Sequence, residues 1–473
     1  MLRPSKVGST AHRVNIWNTY KEAYIGLLRL GLPVLVTQVG IIVVSFADTM
    51  MVGAYGLDEL AAAAFVNSFF MVAVVMQIGF AGGITPLIGA LYSKGKRHEA
   101  GRTLRAGLQV NTLVSVFFMA LMGTLYFFID CFGQPEELLP LIRPYYLVVL
   151  SSLLPMAIFN CCQQTANGTT DTAMPMWLIL SANVLNIMGN YALIFGNFGC
   201  PRLGLLGAGL STLTARALAC IGILICFSHR QRYRDYWQGV CDSSAGIGAL
   251  RREVWVTSYP VGIQSGVECA LWSLGAVVSG WFGKVQLASY QVVNTIAQLG
   301  FMIYLSVGTA TSIKVANCTG LRDVTGIRRI ASAGLHLNLL LGTLASVAFI
   351  IWTRPLIHLF SPDESVILSA MALIVPLVIY QYGDAVQITY ANALRGTSEV
   401  QPLLWIAVIS YLVIGAPLML LLAVGADMGN IGVYYSFSGA LLSASLLLWY
   451  AFMRVCRRKE QLWQPFVKTV SYD

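Results

Sequence analysis

LGLPVLVTQVGIIVVSFADTMMVG, residues 30–53, is apolar throughout and carries a single charge, Asp48. A helix that crosses a bilayer needs about 20 apolar residues. A charge near the bilayer centre costs roughly 2.5–3.5 kcal/mol on insertion scales. Such a residue is kept only where it faces a cavity and finds partners. The stretch therefore predicts a membrane helix that turns a carboxylate toward an interior space.

The pattern recurs along all 473 residues. Twelve apolar runs are legible, at about 28–53, 60–92, 104–130, 140–165, 173–196, 204–228, 254–282, 286–317, 330–352, 366–392, 402–424 and 430–454. They are far longer than the alternating segments of about 10 residues from which lipid-facing barrels are built. Composition agrees: 57% of residues are hydrophobic, 11% are charged, and mean hydropathy is +0.70. The fold class expected is an all-α membrane protein of twelve transmembrane helices. The first run follows a polar, basic segment and is too long for a cleavable signal core.

The net charge of +9 describes topology, not a polyanionic partner. With the N-terminus placed in the cytoplasm, only Arg143, Arg202, Lys284 and Arg354 fall on outer connections and Arg216 falls inside span 6. The other 25 of the 30 Lys and Arg lie on the cytoplasmic side. That bias obeys the positive-inside rule and puts both ends in the cytoplasm. A nucleic-acid partner is excluded on the same ground. Arg216 itself either pairs with a carboxylate or snorkels along its helix. Most of the ten cysteines lie in or beside spans, where a thiol is a small hydrophobe, and none shows metal-ligand spacing. Cys131 and Cys200 map to outer connections, where a disulfide is permitted but not required.

The chain repeats itself. Residues 33–67 align without gaps on 260–294, pairing Pro33 with Pro260, Gly53 with Gly280, Gly56 with Gly283 and Asn67 with Asn294. After a two-residue shift Gly83 pairs with Gly308 and Gly95 with Gly320, and NGTTD (167–171) resembles RGTSE (395–399). Two units of six spans share one orientation, so a pseudo-twofold axis along the membrane normal relates them. The organisation predicted is a cytoplasmic N-terminal segment 1–27, a six-helix lobe 28–228, a cytoplasmic linker 229–253, a second six-helix lobe 254–454 and a cytoplasmic tail 455–473. Pro33 and Pro260 each bend the first helix of a unit, as a fixed kink or as a hinge.

Asp48, Glu268 and Asp384 are the acidic residues inside the apolar runs. Gln264, Glu268 and Trp272 share one helical face, as do Gln291, Asn294 and Gln298, and Tyr380, Asp384 and Gln387. Lipid cannot satisfy such stripes, so they turn inward. For the amides alone, interhelical hydrogen bonding is the simpler reading. Two carboxylates in one cavity point further. They either share a proton or hold a hard cation with Tyr380 and backbone oxygens. In the first unit Gln38, Ser45 and Asp48 lie on one face of span 1, Asn186 and Asn190 on one face of span 5, and Thr212 opens span 6. Phe65, Phe69, Phe70, Tyr290 and Tyr382 add aromatic faces of the kind that attract organic cations, although most pack the core.

These residues resemble the multidrug and toxic compound extrusion (MATE) transporters, specifically the bacterial NorM-type branch. The likeness is carried by residues 30–53 and by ECALWSL (268–274), SYQVVN (289–294), GTATSIKV (308–315), IYQYGDAVQ (379–387) and LRGTSE (394–399). It implies that Asp48 is the carboxylate of the first lobe, with Asn186, Asn190 and Thr212 beside it. It implies that Glu268 and Asp384, with Tyr380, form the second ion site, which would take either Na⁺ or a proton. Gln38, Gln264, Trp272, Tyr290, Gln291, Asn294, Gln298 and Gln387 would line the substrate cavity. Tyr290 stands where a histidine is expected in close relatives. The activity implied is antiport: export of organic cations and drugs against inward Na⁺ or H⁺. The chain would be a multi-pass protein of the bacterial inner membrane, a monomer, without enzymatic activity or cofactor. The alternative reading is a flippase for lipid-linked substrates, as in the wider superfamily.

Overall fold

A computed structural model describes residues 16–242, 246–360 and 362–463. Residues 1–15 and 464–473, parts of the N-terminal segment and tail read from sequence, lie outside the described residues, as do 243–245 of the linker. The described chain is helical, with no strand. The first lobe holds α1 (Ile16–Tyr55), α2 (Leu57–Gly82), α3 (Ile84–Ser93), α4 (Arg97–Tyr126), α5 (Leu139–Ser151), α6 (Leu153–Gly168), α7 (Ala173–Phe195) and α8 (Leu205–His229). The short α9 (Arg234–Cys241) follows. The second lobe holds α10 (Ile247–Trp281), α11 (Lys284–Gly320), α12 (Val324–Ile351), α13 (Thr353–Phe360), α14 (Glu364–Met371) and α15 (Ile374–Gly396). One helical rod then runs from Gln401 to Gly425, made of α16 (Gln401–Ala407), a π-helical stretch (Val408–Gly415), α17 (Ala416–Leu420) and a second π stretch (Leu421–Gly425). The chain ends on α18 (Gly429–Trp463).

Among the described residues eleven rods are long and apolar enough to span, and α14 with α15, bent by 51°, makes a twelfth. The bend has a cause in sequence: Pro376 sits in the first turn of α15, where it cannot continue the hydrogen-bond ladder of α14. The spans outrun the apolar core. At about 1.5 Å per residue α1 alone is about 60 Å long, so its first turns stand clear of the membrane.

The duplication is visible in the backbone. Thr170 and Ser398, matched in NGTTD and RGTSE, both adopt left-handed conformations, with φ of 62° and 63°. Gly56 and Gly283 both precede the second helix of their unit. One pairing is corrected. Gly95 (φ 73°) corresponds to Arg322 (φ 59°), each second after a helix end at Ser93 or Gly320. The gap-free register therefore holds there without the two-residue shift. Gly83 breaks the first unit's second span into α2 and α3, while α11 runs unbroken past Gly308.

The polar linker is not a free tether. Its first half folds into α9 and docks on α4 at Gly101 and Gly239, where a Cβ on Gly101 would lie 2.0 Å from the Tyr236 carbonyl. Its second half is already α10 from Ile247. The ten cysteines are free thiols, Cys131 and Cys200 included.

Each lobe has its own buried clusters, and a smaller one of Leu27, Leu30, Ala310, Ile313 and Ala333 bridges them. α1 packs on α11, α2 on α10, and α3 on α11. Lipid gives helices no hydrophobic reason to associate, so close approach through small residues does the joining. Gly83 lies against Ser258 and Gly262 against the Phe80 ring, with Gly79, Gly89 and Gly320 along the same seam. On α1 these contacts fall early, and on α2 they fall late. Both positions belong to the half nearer the face where α1 begins and α18 ends. In the other half Gln291 and Gln298 of α11 are exposed, and the close glycine contacts between the lobes do not continue. The lobes form a V whose mouth lies away from the chain ends.

Candidate functional site

In the first lobe, Asp48 sits two turns before the C-terminal end of α1 and turns toward α7 and α8. The buried Asn190 amide donates to its Oδ1. With the amide of Asn186, one turn earlier on α7, oriented so that its nitrogen donates to the same oxygen (2.9 Å), its own oxygen accepts from Thr212 Oγ1 (3.2 Å), and both ends are satisfied. Ser211 Oγ donates to the Asn186 backbone carbonyl at 2.7 Å, and Gly189 leaves room for that hydroxyl. The four residues read from sequence are thus one cluster, and Asp48 faces the lobe interior. Thr212 stands two turns inside α8, not at its start. Gln38 lies apart, at the lobe seam, with its amide on Met302 Sδ at 3.3 Å.

In the second lobe, α15 presents Tyr380, Asp384 and Gln387, all buried, toward α10. Trp272 of α10 meets Tyr380 edge to face at 5.2 Å between ring centroids and Phe437 at 4.5 Å. Glu268, one turn before Trp272, is half-buried beside this wall. Both oxygens of Asp384 are buried and have no hydrogen-bond partner among the described residues, and the same holds for both amide atoms of Gln381. Buried polar groups are rarely left this way. A cluster of unmatched oxygens fits an exchangeable proton or a hard cation. Among the described residues no three His, Cys, Asp or Glu gather. The donors here are two carboxylates, a phenol and amides, a set suited to a monovalent ion or a proton.

Two expectations change. Tyr290 does not line the cleft: it is buried in the lobe core and its hydroxyl donates to the Trp272 carbonyl at 2.9 Å, tying α11 to α10. Gln264 is also buried, and it accepts from Arg395 Nη2 at 3.0 Å. Tyr290→Phe is therefore expected to cost about 1 kcal/mol of stability and leave substrate range unaltered. Thermal unfolding and a resistance panel measure the two. Gln291 and Gln298 are exposed and Asn294 is partly so.

Sequence reasoning missed Arg395 and Tyr411. RGTSE has the composition of a turn and so hides Arg395 in a connection, but α15 runs to Gly396 and carries it inside. Tyr411 had a signal: it and Ser410 are the polar groups in the apolar run IAVISYLVIG (406–415), and they fall in the π-helical stretch. Such stretches often mark functional positions.

The family model described as MatE matches residues 33–192 and 265–421. The chain belongs to the MatE family. This MATE chain is 27% identical over 467 residues to the probable multidrug resistance protein NorM of Rhizobium meliloti, covering 97% of itself and 98% of that protein. It is 25% identical over 441 residues to the multidrug resistance protein NorM of Aliivibrio fischeri, covering 91% and 94%. Its fold matches the Vibrio cholerae MATE transporter VcmN in the bent form, with a TM-score of 0.82 at 18% identity over 94% of this chain and 100% of that one. That likeness concerns the fold.

Proposed function

We propose that this protein is a secondary antiporter of the plasma membrane, with both ends cytoplasmic, exporting organic cations and drugs against inward Na⁺ or H⁺. It moves its substrates without chemical change. The observation that carries the reading is Asp384: a buried carboxylate with no hydrogen-bond partner among the described residues, beside Glu268 and Tyr380. A group so placed changes its state only by taking up a proton or a cation, and either event alters the balance between lobe arrangements. Linkage then requires ion and drug to disfavour each other reciprocally. Support also comes from the seam, which closes one half of the V and leaves the other open, as alternating access needs.

Magnitudes constrain the exchange. One charge crossing 100 mV releases about 2.3 kcal/mol, and a tenfold ion gradient adds about 1.4. If one ion exchanges for one monovalent cation the electrical parts cancel, leaving about tenfold accumulation. Carboxylates in both lobes support a second ion.

The deciding experiment is dye efflux from proteoliposomes with Na⁺ and pH gradients imposed separately. At least one gradient should drive an organic cation uphill. Equal efflux with and without either gradient would remove the antiport reading and favour a channel.

A further inference from the structure

α10 begins before it enters the bilayer. Its Trp255 and Trp281 are both exposed, and at about 1.5 Å per residue they lie about 39 Å apart along the helix. That approaches the thickness of a bilayer with its headgroup zones, about 40–45 Å, and tryptophan is enriched at both interfaces. Trp255 therefore marks the boundary on the side of the chain ends. Arg251 and Arg252, one turn earlier, stand at the level of the lipid phosphates. At about 100° per residue, Gly248, Arg251, Arg252, Trp255 and Tyr259 fall within about 100° of arc on one face of α10, and Glu253 falls opposite. Gly248 and both arginines are exposed, and a Cβ on Gly248 would meet nothing within 4 Å. Among the described residues neither arginine has a carboxylate within the 4.0 Å of an ion pair. Below them the Trp255 ring lies 5.8 Å from Phe80 of α2 and 6.4 Å from Tyr259 between centroids. The Tyr259 ring is held in turn by Gln401 of α16, whose Nε2 donates to its hydroxyl at 2.8 Å.

We propose that this face binds an anionic phospholipid from the leaflet on the side of the chain ends. Its phosphate sits on Arg251 and Arg252, its glycerol on Trp255, and its acyl chains run along the exposed Val256. The fork of a guanidinium matches a phosphate with two parallel hydrogen bonds. Basic side chains just outside a spanning helix draw acidic headgroups, and an indole pairs an apolar body with a polar edge, as the glycerol region requires. The open backbone at Gly248 leaves the headgroup room between the two guanidinium groups. A free phosphate would use the arginines but not the aromatic ledge below them, so the ledge favours a lipid. Phe80 of the first lobe backs Trp255 of the second, so the site is complete only where the two lobes meet. The inference does not depend on the antiport reading.

The test reads lipid binding and leaves transport aside. Purified full-length protein in detergent is titrated with dioleoyl phosphatidylglycerol or dioleoyl phosphatidylcholine, and bound lipid is read by native mass spectrometry. The parent should bind its first phosphatidylglycerol at least tenfold more tightly than its first phosphatidylcholine. Arg251→Gln combined with Arg252→Gln should remove that preference. Arg230→Gln combined with Arg234→Gln takes the same charge from exposed arginines on the same side of the protein and should change it less than twofold. Trp255→Ala should weaken both lipids at least threefold, because it removes the ledge and no charge. On the parent, phosphatidylglycerol should slow amide exchange over 247–256 more than phosphatidylcholine does, which reads the site without any variant. A millimolar excess of glycerol phosphate should leave the lipid bound. Equal losses from the two arginine pairs would reduce the effect to general surface charge and overturn the proposal. No lipid preference in the parent, unchanged binding by Trp255→Ala or unaltered exchange would overturn it too. So would displacement by glycerol phosphate, which would make this a site for a free phosphate ester.

Discussion

Asp384→Asn is expected to reduce ion-driven dye export to background while leaving the protein at least as stable as its parent. The two halves of this result have one cause. The oxygens of Asp384 are buried and make no hydrogen bond among the described residues, so an amide of the same shape breaks no contact. A buried carboxylate without a partner carries a desolvation penalty of several kcal/mol, and the amide escapes it. What the amide cannot do is take up and release a proton, or neutralise a cation. Thermal unfolding in nanodiscs reads the first half, and proteoliposome efflux under an imposed gradient reads the second. Normal export by a well-expressed variant would take Asp384 out of the mechanism. Glu268→Gln and Asp48→Asn, measured alongside, show which lobe couples. Asp48 already receives amide hydrogen bonds from α7, so its replacement should cost stability that the Asp384 change does not.

Gly83→Leu should open the seam and arrest transport. A Cβ at 83 would lie 2.5 Å from Ser258 Cα and 2.6 Å from the Thr257 carbonyl. Both obstacles are backbone of α10 and cannot rotate away, so the lobes must separate there or the helices must distort. Overpacking of this kind costs about 1–3 kcal/mol, which corresponds to roughly 5- to 150-fold in a two-state balance. The lobe arrangement with this seam closed should lose population by that factor. Ser306, buried in the seam where Gly31 of α1 meets its carbonyl, serves as the reporter. Ser306→Cys is made in the parent and in the Gly83→Leu variant. A membrane-impermeant maleimide applied from the face of the chain ends should label position 306 faster by that factor in the Gly83→Leu background. Peptide mass spectrometry separates this site from the native thiols. Unchanged labelling with normal efflux would show that the seam is not the gate.

Much of this was legible in one dimension, for definite reasons. Apolar length dictates spanning helices because lipid leaves no other way to satisfy a backbone, so the number of spans could be read directly. The duplication was legible because its turn chemistry survives: Thr170 and Ser398 sit at matched positions in matched turns. Asp48, Glu268 and Asp384 stood out because charge inside apolar sequence is costly. Other residues were hidden. Arg395 looked like part of a loop because helix ends are set by the packing of α15, not by the local turn signature. Tyr290 looked like a cleft residue because the resemblance at SYQVVN gives a position in the chain and not what packs against it. Its hydroxyl instead ties two helices within one lobe.

The sequence by itself determined twelve spans, two related halves and three intramembrane acids, because the bilayer taxes polarity residue by residue and leaves that record in order along the chain. The tertiary structure alone decided which half of the V is shut, and that among the described residues Asp48 has hydrogen-bond partners while Asp384 has none. Each of these depends on which surfaces meet across helices far apart in sequence, and on glycines whose worth lies in what approaches them.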